Sequence, residues 1–180
     1  MRFLAVARLA LAIALGMGCV TAEDAADATD AAAAKAAVEA VRMALMHGDA
    51  AEAAALVDAP LRPRALREFE RIVPEFTAGR MNWTVLEVET DGNAALVFID
   101  EDLEKGRATT DIDAMPLVRR AGRWFLLITT EPTDPEIALD AETLAAFARL
   151  QAWATEREPL LQKQRRDLLK AQRKANKVVP

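Results

Sequence analysis

Between residues 82 and 130 the chain runs through four stretches rich in Val, Ile, Leu, Thr, Phe and Trp, separated at Asp91-Gly92, Lys105-Gly106 and Ala121-Gly122. Glycine at each break supplies the positive φ that short hairpin loops need, so the segment predicts a four-stranded antiparallel meander. Its runs differ in pattern. Leu86 and Val88 alternate with Glu87 and Glu89, which predicts a first strand with one face in water. Residues 94–99 and 124–128 are apolar without interruption, so those strands need cover on both faces. Pro116 cannot donate to a ladder and places the third strand at a bulge or a local edge.

The flanking segments carry helical periodicity. Ala34, Val38, Val41 and Leu45 form the apolar stripe of a helix over 31–47, Gly48 closes it, and Asp49 with Glu52 begins another through about Val57. Pro60 ends that second helix. Leu66, Phe69, Val73 and Phe76 then mark a third, with Pro74 kinking or restarting it near its end. Beyond a linker over 131–135, residues 137–157 and 160–174 read as two helices divided by Pro159, the first with Leu144, Phe147, Leu150 and Trp153 as its apolar side. That helix is expected to cover the second face of the sheet, because a segment of the same chain arrives at high effective concentration whereas a dimer must overcome association entropy. The basic segment after Pro159 is expected to project away. The fold class is α+β: N-terminal helices on a curved antiparallel sheet over 31–130, then a C-terminal helical extension over 131–180.

Composition changes the picture at the two ends. Arg2 and Arg8 bracket the start of an apolar run, Leu9 to Leu15, that is too short to span a bilayer, so residues 1–22 read as a cleaved signal segment. Val20-Thr21-Ala22 offers a cleavage before Glu23 and soluble export to the periplasm or medium, the favoured reading. Gly18-Cys19 is similar to the end of a lipobox and offers a lipoprotein anchored at Cys19, although Gly16 stands where that motif usually has Leu. Residues 23–30 are mostly Ala and Asp and read as a disordered tether. Cys19 is the single cysteine, so packing alone must hold the mature domain, and a chain that is 52% hydrophobic has the material for one core. Cleavage after Ala22 leaves 21 Lys or Arg against 28 acids, a net charge of −7. Residues 23–155 hold thirteen bases and twenty-five acids, whereas 156–180 hold eight bases and three acids. The basic tail could meet anionic lipid, a surface polymer or nucleic acid. Export and the lack of interleaved aromatics argue against nucleic acid, and a solvated helix is the plainer reading.

Two local pieces carry a family likeness: Ala44-Leu-Met-His-Gly-Asp49 between the first helices, and Pro116-Leu-Val-Arg-Arg-Ala-Gly-Arg-Trp124-Phe-Leu-Leu-Ile in the last hairpin. With three helices followed by a bent antiparallel sheet, they resemble the nuclear transport factor 2-like superfamily, the cone-shaped fold of SnoaL-like polyketide cyclases and ketosteroid isomerases. The resemblance covers about residues 31–130 and implies a cone in which the enzymes of the superfamily place an Asp, a Tyr or a His.

This chain has no Tyr, so a site built on a Tyr donor has no residue to carry it. His47 is the sole histidine, and its place at a helix C-terminus has a plain reading as a partner of the helix dipole. Asp111 and Asp113 share one strand face with Arg107, Thr109 and Met115; were that face to line the cone, two carboxylates and a guanidinium could activate a water, as in the limonene epoxide hydrolase-like branch. A solvated face with a cross-strand ion pair is favoured over it. Asp100, Asp102, Glu104 and Gly106 miss calcium-loop spacing, one His without a mature Cys cannot build the usual transition-metal site, and no cofactor motif is present. The expectation is therefore an exported, non-catalytic module that binds a protein partner, a surface polymer or a small apolar ligand, with homodimerisation left open. The alternative is a small hydrolase, isomerase or cyclase using Asp111 and Asp113.

Overall fold

The computed structural model describes residues 22–103, 112–128 and 136–176. Helix α1 (Ala22–Met46) is followed by α2 (Ala50–Ala55), a 3-10 turn (Ala59–Leu61) and α3 (Arg62–Thr77). Strands β1 (Met81–Asp91), β2 (Ala94–Leu103), β3 (Ile112–Arg120) and β4 (Arg123–Leu126) form one curled antiparallel sheet in sequential order, and α4 (Ala141–Asn176) closes the chain. The α+β class is as the pattern predicts.

Helix α1 starts nine residues ahead of the expected helix start at Ala31, across the segment read as a tether. Ala-rich sequence has high helical propensity, and Asp30 ties this end to β3 through Arg119 at 2.6 Å. Ala34, Val38, Val41 and Leu45 are buried as the stripe requires. At the other end Gly48 takes φ 82°, with Gly48 N–H donating to Leu45 O and Asp49 N–H to Ala44 O, the paired bonds of a Schellman motif. Asp49 caps α2 by accepting from Glu52 N–H at 2.7 Å.

Register assigns the two faces of the sheet, because directly paired residues share a face. Trp83, Val85, Val97, Ile99, Met115, Leu117 and Leu126 lie on the inner face, against α1 and α3. Glu87, Glu89, Leu96, Phe98, Ala114 and Pro116 lie on the outer face, against α4. A bulge between Val85 and Glu87 breaks the alternation expected of the first strand: Val85 turns inward and Leu86 is left 40% exposed. The acids of β1 do not simply face water; α4 runs past them.

Pro116 obeys the edge rule. Its carbonyl accepts from Leu127 N–H at 2.8 Å, so its missing donor points to the same side, where β4 has already ended. The open edge of β4 is closed by the chain after α2, with Leu126 N–H donating to Leu56 O and Asp58 N–H to Leu126 O, both at 3.0 Å.

Helix α4 covers the outer face, with Phe147 and Leu150 buried and Trp153 packed on Phe98 at 5.3 Å between ring centroids. Two details correct the expectation. Leu144 points outward at 36% exposure, its place in the core taken by Ala146. Pro159 does not divide the segment: one helix of 36 residues passes through it, and beyond it Leu161 is buried with Phe98 and Ile112 while Arg165 pairs with Asp100. Projection into water begins only after that, where Leu168 is 65% exposed.

Candidate functional site

Between α3 and the inner face of the sheet lies a cavity of about 480 Å³. Its wall is built by several elements: Phe69 and Ile72 from α3, Trp83 from β1, Met115 from β3, and Leu127 and Ile128 after β4. Phe69 and Ile72 reach it because residues three apart share a helix face, and Trp83 reaches it as the inward member of an alternating pair with Thr84. Phe76 holds the indole edge-on, ring centroids 4.9 Å apart, which fixes its orientation.

Four polar groups line this apolar space. Arg64 and Glu101 are both engaged in interactions of their own. Asp113 is exposed and makes no hydrogen bond or ion pair among the described residues. Trp83 is 5% exposed, and its Nε1–H finds no acceptor. A buried donor left unmatched costs about 1 to 3 kcal/mol; the atom itself is sealed, so an acceptor in the cavity would meet it only after a small rotation of the indole. Trp124 Nε1 is equally unmatched but lines none of the described cavities, and the Arg119 guanidinium lies 5.5 Å from its ring.

Comparison of the chain with known protein families finds no match, and comparison with curated proteins finds none. Among solved structures it is similar to Rv3472, a function-unknown protein from Mycobacterium tuberculosis, with a TM-score of 0.43 and 15% identity over 77% of this chain and 96% of that one. A likeness of that size says nothing about activity.

The residues singled out by sequence are not gathered at one place. Asp113 and Met115 share the inner face, as their spacing requires, and both line the cavity. Asp111 and Arg107 lie outside the described residues. His47 is exposed at the C-terminal end of α1 and lines none of the described cavities. Asp100 belongs to β2 and pairs with Arg165. Among the described residues no cluster of three or more His, Cys, Asp or Glu could hold a metal, and no helix is long and apolar enough to cross a membrane. Trp83 is the functional residue that local pattern does not reveal, because neither its burial nor its missing acceptor has a signature in the sequence.

Proposed function

We propose that this chain is an exported, non-catalytic binding module of the nuclear transport factor 2-like kind, whose inner cavity takes a small, largely apolar molecule bearing one hydrogen-bond acceptor. The observation that supports this reading is the buried, unmatched Nε1–H of Trp83 in the wall of an apolar cavity. A volume of about 480 Å³ falls in the range of small-molecule sites, which combine apolar walls with a few placed polar groups. An indole N–H donates a hydrogen bond but does not ionise near neutral pH, so it suits holding a carbonyl or hydroxyl oxygen better than acid-base catalysis. The hydrolase or isomerase alternative rests on Asp113, whose carboxylate lines the same cavity.

The test is a fluorescence titration with a panel of apolar ketones and their matched hydrocarbons. Ketones are expected to bind at least about fivefold more tightly than hydrocarbons of the same shape, and Trp83→Phe is expected to erase that preference, as loss of one neutral hydrogen bond would. Equal binding of both classes to the unaltered chain would refute the proposed role of Trp83. Turnover of an ester or epoxide analogue that disappears in Asp113→Asn would establish the enzyme instead.

A further inference from the structure

Among the described residues, Met81 and Met115 are partly buried against the core, whereas Met43 and Met46 stand 40% and 41% exposed on the last turn of α1. Methionine is a residue of interiors, and here two of them at i and i+3 share one helix face in water. The sole histidine follows at once. His47 N–H donates to Met43 O at 3.0 Å, so the helical path still holds there and places His47 one turn beyond Met43, at i and i+4. Its ring is exposed and makes no hydrogen bond or ion pair among the described residues. The buried stripe of Val38, Val41 and Leu45 points the other way, so two thioethers and an imidazole gather on about a third of the helix circumference. The two sulfurs already meet a common cation. Arg42 Nη1 donates to Met46 Sδ at 3.1 Å and Nη2 to Met43 Sδ at 3.7 Å. Sulfurs that touch the two ends of one guanidinium are close enough for rotation of their flexible chains to bring both onto a single ion.

We infer that Met43, Met46 and His47 form a binding site for a soft monovalent metal ion, copper(I) or silver(I). Thioether and imidazole donors select soft ions, whereas magnesium and calcium take oxygen. Spacings of three and four residues both serve helix-borne metal ligands, since each puts two donors on one face. The ion would sit at the C-terminal turn of a 25-residue helix, where the partial negative charge of the carbonyls favours a cation. Arg42 is the group that opposes it. Glu39 offsets that charge by accepting from Arg42 Nε at 2.7 Å, and Asn82 Oδ1 accepts from Nη1 at 3.3 Å, so the guanidinium keeps two oxygen partners when it yields the sulfurs. Thioether sulfur is a weak acceptor, which makes that loss small. The set differs from the usual one of several imidazoles and thiolates, and it lies apart from the inner cavity, whose lining includes none of these residues.

Calorimetric titration of the full chain with silver nitrate in chloride-free buffer tests the assignment, in a Cys19→Ser background so that the thiol does not compete. Methionine methyl resonances report the place. Silver(I) is expected to bind at least about tenfold more tightly than zinc(II), and to shift the methyl signals of Met43 and Met46 but not those of Met81 and Met115. Met43→Leu and Met46→Leu keep the volume and His47→Gln keeps a polar side chain; each should weaken silver at least about tenfold, as loss of even an outer-shell partner does. Arg42→Gln should tighten it by up to about fivefold, because a neighbouring like charge is removed. Thermal melting checks that each variant is folded. The assignment is overturned by absence of saturable silver binding, by zinc binding as tightly, or by shifts at Met81 or Met115 in place of Met43 and Met46. It is equally overturned by affinity unchanged in the Met43→Leu/Met46→Leu pair or in His47→Gln, or by Arg42→Gln weakening the ion.

Discussion

On β1 two acids two residues apart respond to the fold in opposite directions. Asp91 accepts from Arg149 Nε at 2.6 Å, and that hydrogen bond holds its carboxyl below the usual carboxylate range against a smaller opposing effect of burial. Glu89, between Asp91 and Glu87, pairs with no arginine among the described residues; burial first, then the charges of Glu87, Asp27 and Asp91, push it up. The consequences for stability carry opposite signs. The contribution of Asp91 is present above its unfolded pKa of about 3.9 and is lost as pH falls through its lower folded value. The contribution of Glu89 is present below its unfolded pKa of about 4.3 and is lost as pH rises through its higher folded value. Glu89→Gln is therefore expected to raise the melting temperature at pH 7 and change little at pH 3, while Asp91→Asn lowers it at pH 7. Both effects are small because the strand edge is open to water. Thermal melts at the two pH values decide it, and a fall in Tm for Glu89→Gln at pH 7 would contradict the sign. The alternation of acids here was readable in the sequence; which of them would meet an arginine was not, because the arginines lie 58 and 70 residues away.

Helix α4 shows why Pro159 misleads a local reading. A proline in a helix interior costs about 3 kcal/mol relative to Ala, which argues for a break. The chain continues because both sides of the proline are anchored. Arg149, Arg157 and Arg165 recur every eight residues and pair with Asp91, Glu87 and Asp100, and Trp153 and Leu161 fall midway between them on the sheet. A period of four lags the true helical turn of 3.6, so the contact line winds around α4 as the helix crosses from β1 to β2. The end of the structural segment is therefore expected at about Arg166 and not at Pro159. Stopping the chain after Arg166 should leave the denaturant midpoint nearly unchanged. Stopping it after Glu158 removes Leu161, 7% exposed, together with the partner of Asp100, and should destabilise by about 2 to 4 kcal/mol. Equal urea midpoints for the two truncations would show that the segment past Pro159 contributes nothing.

At the scale of the whole molecule the sheet is a shared wall, with α1 and α3 on its inner face and α4 on its outer face. Phe98 at 1% and Leu96 at 5% exposure owe their burial to α4 and the sheet together, and each large side chain returned to water forgoes roughly 1.5 to 3 kcal/mol. Removing everything after Pro135 is expected to give a chain that self-associates or aggregates on size exclusion. A soluble monomer of unchanged stability would mean that the outer face tolerates water and that α4 is an accessory.

The sequence by itself determined the strand order, the turns at Gly92 and Gly122, the C-terminal end of the first helix and the need for cover on both faces of β2, because each of these follows from periodicity of two or 3.6 and from residues that force a backbone angle; the turn expected at Lys105-Gly106 lies outside the described residues. Gly48 and Pro116 behave as their chemistry alone requires. Tertiary structure decided the rest. The bulge at Leu86 turned Val85 inward, long-range arginines chose among the acids, and a helix survived its proline because the sheet on both sides of Pro159 held it. The inner cavity belongs to this second group. It is a gap between elements far apart in the chain, and the unmatched Trp83 N–H arises from what packing failed to supply, which no local pattern records.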